Sequence, residues 1–264
     1  MFAGAYGILL ISSGLRRYKR DAVIFLKLNK RNYKMKNLYK KITLAERFIW
    51  GLSVAAITVC FFAFGNKQYL YLIGAFVGVT ALIFVSKGNP IGQVLTIVFS
   101  VFYGIVSYSF AYYGEMITYL AMSAPMALLA LISWLRHPYK GDKSEVKINV
   151  ISAKEWAIFS TAAIILTFGF YFILRALNTS NLIVSTVSVL TSLYASYLTA
   201  RRSKFYALFY AGNDVVLIAL WALASRNDLS YLAMAVCFAA FFALDIYGFI
   251  NWSRINKKQQ VDTN

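Results

Sequence analysis

Eight long apolar runs constrain this chain more than any other feature. They fall at Phe48–Gly65, Tyr69–Ser86, Ile91–Tyr113, Met116–Leu135, Trp156–Leu174, Asn181–Thr199, Phe205–Ala224 and Leu229–Trp252. Each is near the about 20 residues that a helix needs to cross a hydrocarbon core. A membrane β-barrel would show alternating segments of about ten residues, and these runs do not alternate. Only 14% of residues are charged and 60% are hydrophobic, whereas a soluble domain has about a quarter charged. The apolar surplus therefore faces lipid. The reading is an all-α polytopic membrane protein of about eight transmembrane helices. A basic region over 1–47 precedes a transmembrane domain over 48–252, and a tail over 253–264 follows it.

Charge placement orients the spans. If the N-terminus lies inside, 24 of the 27 Lys and Arg fall in inner segments, and only Lys67, Arg175 and Arg226 lie outside. The positive-inside rule selects that orientation, with both termini cytoplasmic and the chain in the cytoplasmic membrane. It also explains the net charge of +17 without nucleic acid, which is not an expected partner. The tail over 1–47 is expected to be solvated with loose headgroup contact, because it lacks a regular apolar stripe. The apolar stretch Met1–Ser13 precedes its charges, the reverse of a secretory signal. Cys60 and Cys237 sit inside apolar runs without a CxxC or a nearby His, so they read as buried free thiols.

The two halves look related. Thr118–Met122 (TYLAM) resembles Ser230–Met234 (SYLAM), and each precedes a Trp-x-Arg, at Trp134–Arg136 and Trp252–Arg254. The polar link from Arg136 to Glu155 divides the chain. The runs then group as one leading helix, three helices (69–135), a linking helix (156–174) and three helices (181–252). The linking helix gives the two triplets the same orientation. Parallel repeats are a transporter plan that places substrate between the repeats near the midplane.

Charge inside a span is costly, roughly 2.5–3.5 kcal/mol or more at its centre, and marks function by default. Asp214 and Asp245 read as the only acids within the runs, with no basic residue at their depth. Asn213 precedes Asp214 and is expected to diverge from it by about 100°. Tyr210 and Trp221 flank Asp214 along its helix, an arrangement suited to a flat polar ring. Gln93 opens the third run after the turn signal Gly88–Pro90, and Tyr103, Ser107 and Tyr108 lie deeper in it. Ser185, Ser188 and Ser192 read as small residues for close helix packing. His137, the sole histidine, reads as a loop residue. Metalloprotease, nucleophile-elbow, phosphate-loop and dinucleotide motifs do not occur. No catalysis, cofactor or metal is therefore expected, and no filter loop suggests an ion channel.

Several motifs together resemble the PnuC family of nicotinamide riboside transporters. They are GNPIGQ (Gly88–Gln93), YGE (Tyr113–Glu115), WLRHP (Trp134–Pro138), NLIVSTVSVLTSLYASYL (Asn181–Leu198), YAGNDVVLIALW (Tyr210–Trp221) and ALDIYGFINW (Ala243–Trp252). The resemblance spans about residues 44 to 255. It implies a SWEET-like fold of two three-helix bundles joined by one helix, an extra leading helix, and a homotrimer in the lipid bilayer. It implies uptake of nicotinamide riboside by facilitated diffusion, trapped by a cytosolic kinase. It also implies a pocket of amides and aromatics on the third, seventh and eighth spans. By position these are Gln93, Tyr210, Asn213, Asp214, Trp221 and Asp245, with Tyr103 added on the third span. The acids fit a cationic ring, so thiamine, or riboflavin on the same fold, is the alternative vitamin. A membrane-embedded enzyme or receptor would require the two acids to meet over a metal.

Overall fold

The computed structural model describes residues 42–64, 69–109, 112–179 and 181–262. The reading of a surface-lying basic tail lies outside the described residues as far as position 41, as does the outer-loop Lys67. The described residues up to Phe48 belong to one compact unit and those from Ile49 to another. In the first, Thr43 and Glu46 make a capping box. The Glu46 N–H donates to Thr43 Oγ1 at 3.2 Å, and the Thr43 N–H donates to Glu46 Oε2 at 2.7 Å. This reciprocal cap satisfies two otherwise orphaned donors and starts the first helix at Leu44, ahead of its apolar run.

Among the described residues, eight helices are long and apolar enough to cross a membrane. They are α1 (Leu44–Phe64), α2 (Tyr69–Ser86), α3 (Ile91–Ser109), α4 (Tyr113–Arg136), α5 (Ala153–Ala176), α6 (Leu182–Ala200), α7 (Tyr206–Ala224) and α8 (Leu232–Val261). Two further starts, those of α3 and α5, carry polar caps. Asn89 Oδ1 accepts the Ile91 N–H at 3.0 Å, and Ser152 Oγ accepts the Glu155 N–H at 3.2 Å. Within α4, Thr118–Ser123 winds as a π-helix, a wider turn that recurs at functional sites.

The link after α4 is more ordered than its polarity suggests. It forms a hairpin of β1 (Pro138–Tyr139) and β2 (Asp142–Val146), turned by Lys140 and Gly141 at positive φ. The hairpin is the reason α8 runs past Trp252 to Val261, through most of the expected tail. Gln259 Nε2 donates to Val146 O at 3.0 Å, and its Oε1 accepts the Ile148 N–H at 2.9 Å. Val146 N–H in turn donates to Gly88 O at 3.0 Å. Gly88 has φ of 65° and a Cβ there would meet Val146 Cγ1 at 3.0 Å, so both its conformation and its space demand glycine.

Six helices close a ring. α2 packs on α3, α3 on α4, α4 on α6, α6 on α7, α7 on α8, and α8 returns to α2. α5 lies outside on α6, where Phe159 stacks on Tyr197 at 3.8 Å and Arg201 Nε donates to Glu155 Oε1 at 2.5 Å. α1 lies on α2, where the Trp50 indole donates to Thr80 Oγ1 at 3.2 Å and Phe61 stacks near Tyr71. The outer faces of these two helices expose large apolar side chains, among them Val59, Phe62, Ile165 and Phe168. Such faces suit lipid rather than water.

Candidate functional site

All six ring helices contribute to one central cavity. α2 supplies a smooth wall at Gly78, Ala81 and Val85, while α3 supplies Gln93, Phe99 and Ser100. From α4 come Tyr119 and Ser123, which bracket the inner turn of the π-helical segment. α6 adds Ser192 and Thr199; α7 adds Tyr210, Asn213 and Asp214; α8 adds Phe241 and Asp245. Gly78 is required by this packing, since a Cβ there would meet Phe241 Cζ at 2.5 Å and Phe99 Cδ2 at 2.9 Å.

Five of the seven sequence-predicted residues meet in this cavity: Gln93, Tyr210, Asn213, Asp214 and Asp245. The carboxyls of Asp214 and Asp245, on neighbouring helices, lie close enough to interact, and both are 3% exposed. Asp214 Oδ2 has no hydrogen-bond partner. Asn213 and Asp214 share the cavity despite their angular separation, because α7 presents an edge to a space wider than one side chain. Asn213 is fixed in orientation. Its Oδ1 accepts from Thr191 Oγ1 at 2.8 Å and Ser192 Oγ at 3.1 Å, which leaves its amide N–H groups as donors. Ser192 therefore does more than allow close packing.

Tyr103 and Trp221 sit one layer away. The Trp221 indole donates to Tyr103 Oη at 2.9 Å, and both rings are buried with Tyr112 and Tyr231. Trp221 lies two helical turns from Asp214, about 10 Å along the axis, so a shared face did not bring it to the same site. Glu115 was missed, because it stands where the apolar run is only beginning. It is 1% exposed inside α4; its Oε1 accepts from Ser188 Oγ at 3.2 Å and its Oε2 has no partner. The intramembrane acids are thus more than the two expected.

Aromatic side chains narrow the cavity toward both ends. Tyr103, Tyr119, Tyr112, Trp221 and Tyr231 cover one end, with Tyr103 and Tyr119 rings 4.2 Å apart. At the end facing the hairpin, the Trp134 indole near the end of α4 donates to Thr199 O on α6 at 2.9 Å. The Trp252 indole of α8 donates to Val85 O on α2 at the same distance. The two indoles pack 5.4 Å apart. The cavity volume is about 60 Å³, room for a few waters and well below the roughly 300 Å³ at which ligand pockets begin. A drug-sized ligand requires the walls to separate. Among the described residues no group of three His, Cys, Asp or Glu could hold a metal.

A family model described as Nicotinamide mononucleotide transporter matches residues 68–254, from α2 into α8. The chain belongs to this family. The nicotinamide riboside transporter PnuC of Neisseria mucosa is 25% identical over 214 residues, 80% of this chain and 81% of that protein. The nicotinamide riboside transporter PnuC of Haemophilus influenzae is 22% identical over 192 residues, 72% of this chain and 82% of that protein. A crystal structure of the vitamin B3 transporter PnuC shares the fold, with a TM-score of 0.72 at 23% identity over 82% of this chain and 94% of that one. The family consists of membrane transporters rather than enzymes, and this member is a multi-pass membrane protein with eight apolar helices among the described residues.

Proposed function

We propose that this chain carries nicotinamide riboside into the cell through the central cavity by facilitated diffusion, with trapping by a cytosolic kinase. The observation that carries the reading is the acid pair Asp214–Asp245 among the aromatic walls Phe99, Tyr119, Tyr210 and Phe241. A pyridinium ring is flat and positive. Carboxylates and aromatic faces both attract it, while Gln93 and the oriented Asn213 amide suit its carboxamide and ribose hydroxyls. Among the described residues no basic side chain lines the cavity, which favours the riboside over a phosphorylated mononucleotide. Thiamine is the second reading, because its thiazolium is also cationic; the same acids disfavour neutral riboflavin.

The proposed plan is 1 + 3 + 1 + 3, SWEET-like, with parallel repeats and cytoplasmic termini. Its support is the pattern of neighbours. Shifting each ring contact by one triplet turns α2–α3 into α6–α7, α3–α4 into α7–α8 and α4–α6 into α8–α2. The Trp134–Thr199 and Trp252–Val85 bonds obey the same exchange. The TYLAM and SYLAM segments do not, since Tyr119 lines the cavity while Tyr231 packs on Trp221. A trimer, with the apolar faces of α1 or α5 as possible contacts, belongs to the same proposal.

Thermal unfolding of the purified chain with nicotinamide riboside, nicotinamide mononucleotide, thiamine and riboflavin tests the substrate by mass action. Nicotinamide riboside should stabilise most. Stabilisation by thiamine alone would transfer the assignment to the second reading, and by the mononucleotide alone would overturn the charge argument. In proteoliposomes, the initial rate of uptake should be unchanged when the proton gradient is collapsed; acceleration by an imposed gradient would replace facilitated diffusion with coupled transport.

A further inference from the structure

Glu115 is a buried carboxyl in a membrane span, and it lies outside the lining of the central cavity. Among the described residues Ser188 Oγ is its one hydrogen-bond donor, and Oε2 accepts from none. No basic side chain pairs with it among those residues. A carboxylate within a span is costly without a partner, and such groups mark the paths of substrates and ions.

Two helices independently place Glu115 one turn from the cavity. On α4 it precedes the cavity-lining Tyr119 by four residues. On α6 its donor Ser188 precedes the cavity-lining Ser192 by four, and Ser192 holds Asn213. Residues at i and i+4 share a helix face. Because α4 runs toward the hairpin, Glu115 lies at the end away from it. It stands beside the aromatic layer, since Tyr112, just before α4, packs on Trp221 at 4.6 Å. The Glu115 carboxyl is within electrostatic reach of the Tyr103, Tyr112 and Tyr119 hydroxyls, and Tyr119 is within the same reach of Asp214. Tyr119 therefore stands between Glu115 and the acid pair.

The surroundings have hydrogen-bonding capacity to spare. Thr118, one turn on in α4, and Ser107, whose carbonyl accepts the Tyr112 N–H at 2.9 Å, each bury a hydroxyl without a partner. Buried polar groups normally find one. An acid, hydroxyls and aromatic faces repeat the chemistry of the central cavity one turn further along the ring interior.

We propose that Glu115 is a second binding station for the cationic ring of the substrate, engaged when the Tyr103–Tyr119 contact parts and released as the ring passes Tyr119 to Asp214. This rests on the reading that the chain carries a cationic vitamin. Carboxylate and tyrosine faces both attract a cation, and the arriving ring supplies the counter-charge that no described side chain provides. A station outside the cavity governs passage, not affinity within the cavity.

The test compares nicotinamide riboside with its dihydro form, whose ring is neutral, in initial uptake by proteoliposomes and in binding to the purified full chain. Glu115→Gln should lower kcat/KM for nicotinamide riboside uptake about tenfold, as for one contact to a charged group. Uptake of the dihydro form and the binding affinity for nicotinamide riboside should stay unchanged. Glu115→Asp, which keeps the charge, should recover part of the lost rate. Equal changes for the two forms, or no change in either, would make Glu115 a packing residue and overturn the station. A matching loss of binding affinity would also overturn it, by placing Glu115 at the cavity itself. Uptake of neither form by the unaltered chain would instead overturn the functional reading, and the station with it. If Glu115→Gln unfolds early, Glu115→Met, of similar volume and without a polar atom to bury, gives the same comparison.

Discussion

Asp214 and Asp245 carry the chemical argument of the cavity, and they are not equal. The two carboxyls share a hydrogen bond, and Asp214 keeps a buried oxygen, Oδ2, that accepts from no protein donor, so it has an acceptor to offer an incoming cation. Asp214→Asn keeps shape and volume but removes the charge. Affinity for a cationic vitamin should fall about 10- to 100-fold, as expected for roughly 1.5–3 kcal/mol from a hydrogen bond to a charged group, while the unfolding temperature without ligand holds or rises. Unchanged affinity in a binding titration would remove Asp214 from the site. Gly78→Ala should also weaken binding, because its Cβ drives Phe99 and Phe241 toward the cavity. These acids were legible in sequence because charge in an apolar run has a large and local cost. Tyr103 and Trp221 were misplaced because an aromatic in such a run carries no comparable signal: it packs equally well beside a ligand or beside another ring. Glu115 escaped because it stands at the edge of its run, where a carboxylate looks solvated until the fold buries it against Ser188.

At the scale of elements, the two indole bonds are the features most open to experiment. Each ties one helix to the backbone of its neighbour in the ring, and the indoles pack on each other. Phenylalanine retains the packing but leaves a buried carbonyl without its donor, at a cost of roughly 1–3 kcal/mol. Trp134→Phe and Trp252→Phe should each shift the balance toward a form open at the hairpin end. The readout is thiol labelling of Ser100→Cys, a fully buried cavity position, in a chain with Cys60→Ala and Cys237→Ala. Each change should speed labelling about tenfold, equivalent to ~1.4 kcal/mol; equal labelling in all three chains would mean that the indoles do not hold this end shut. The Trp-x-Arg repeat was visible in sequence, but its bonding was not, because the acceptors Thr199 O and Val85 O are backbone atoms with no sequence signature. The hairpin and the long α8 were hidden for a related reason: two polar side chains at the far end of α8, Gln259 and Asp262, join them across more than a hundred residues.

For the whole molecule, the eight spans were readable because lipid demands length and apolarity from each one independently, whereas the closed ring arises from contacts among spans whose surfaces are all apolar. Orientation is different again, since it depends on loop charge rather than on packing. On the proposed orientation, drawn from the 24-to-3 division of Lys and Arg, the hairpin, the α6–α7 link and the end of α8 lie on the cytoplasmic side. Orientation therefore decides which end of the cavity the paired indoles narrow. Cysteines introduced at Lys143 and at Arg226, both exposed, report on the two faces in the same Cys60→Ala, Cys237→Ala background. An impermeant maleimide added to intact cells should modify the residue at 226 and reach 143 only after permeabilisation. The reverse pattern would put the tryptophan closure toward the exterior and the Tyr103–Trp221 layer toward the cytosol. The cavity chemistry would be untouched, but release into the cell would then require the aromatic layer, rather than the two indole bonds, to part.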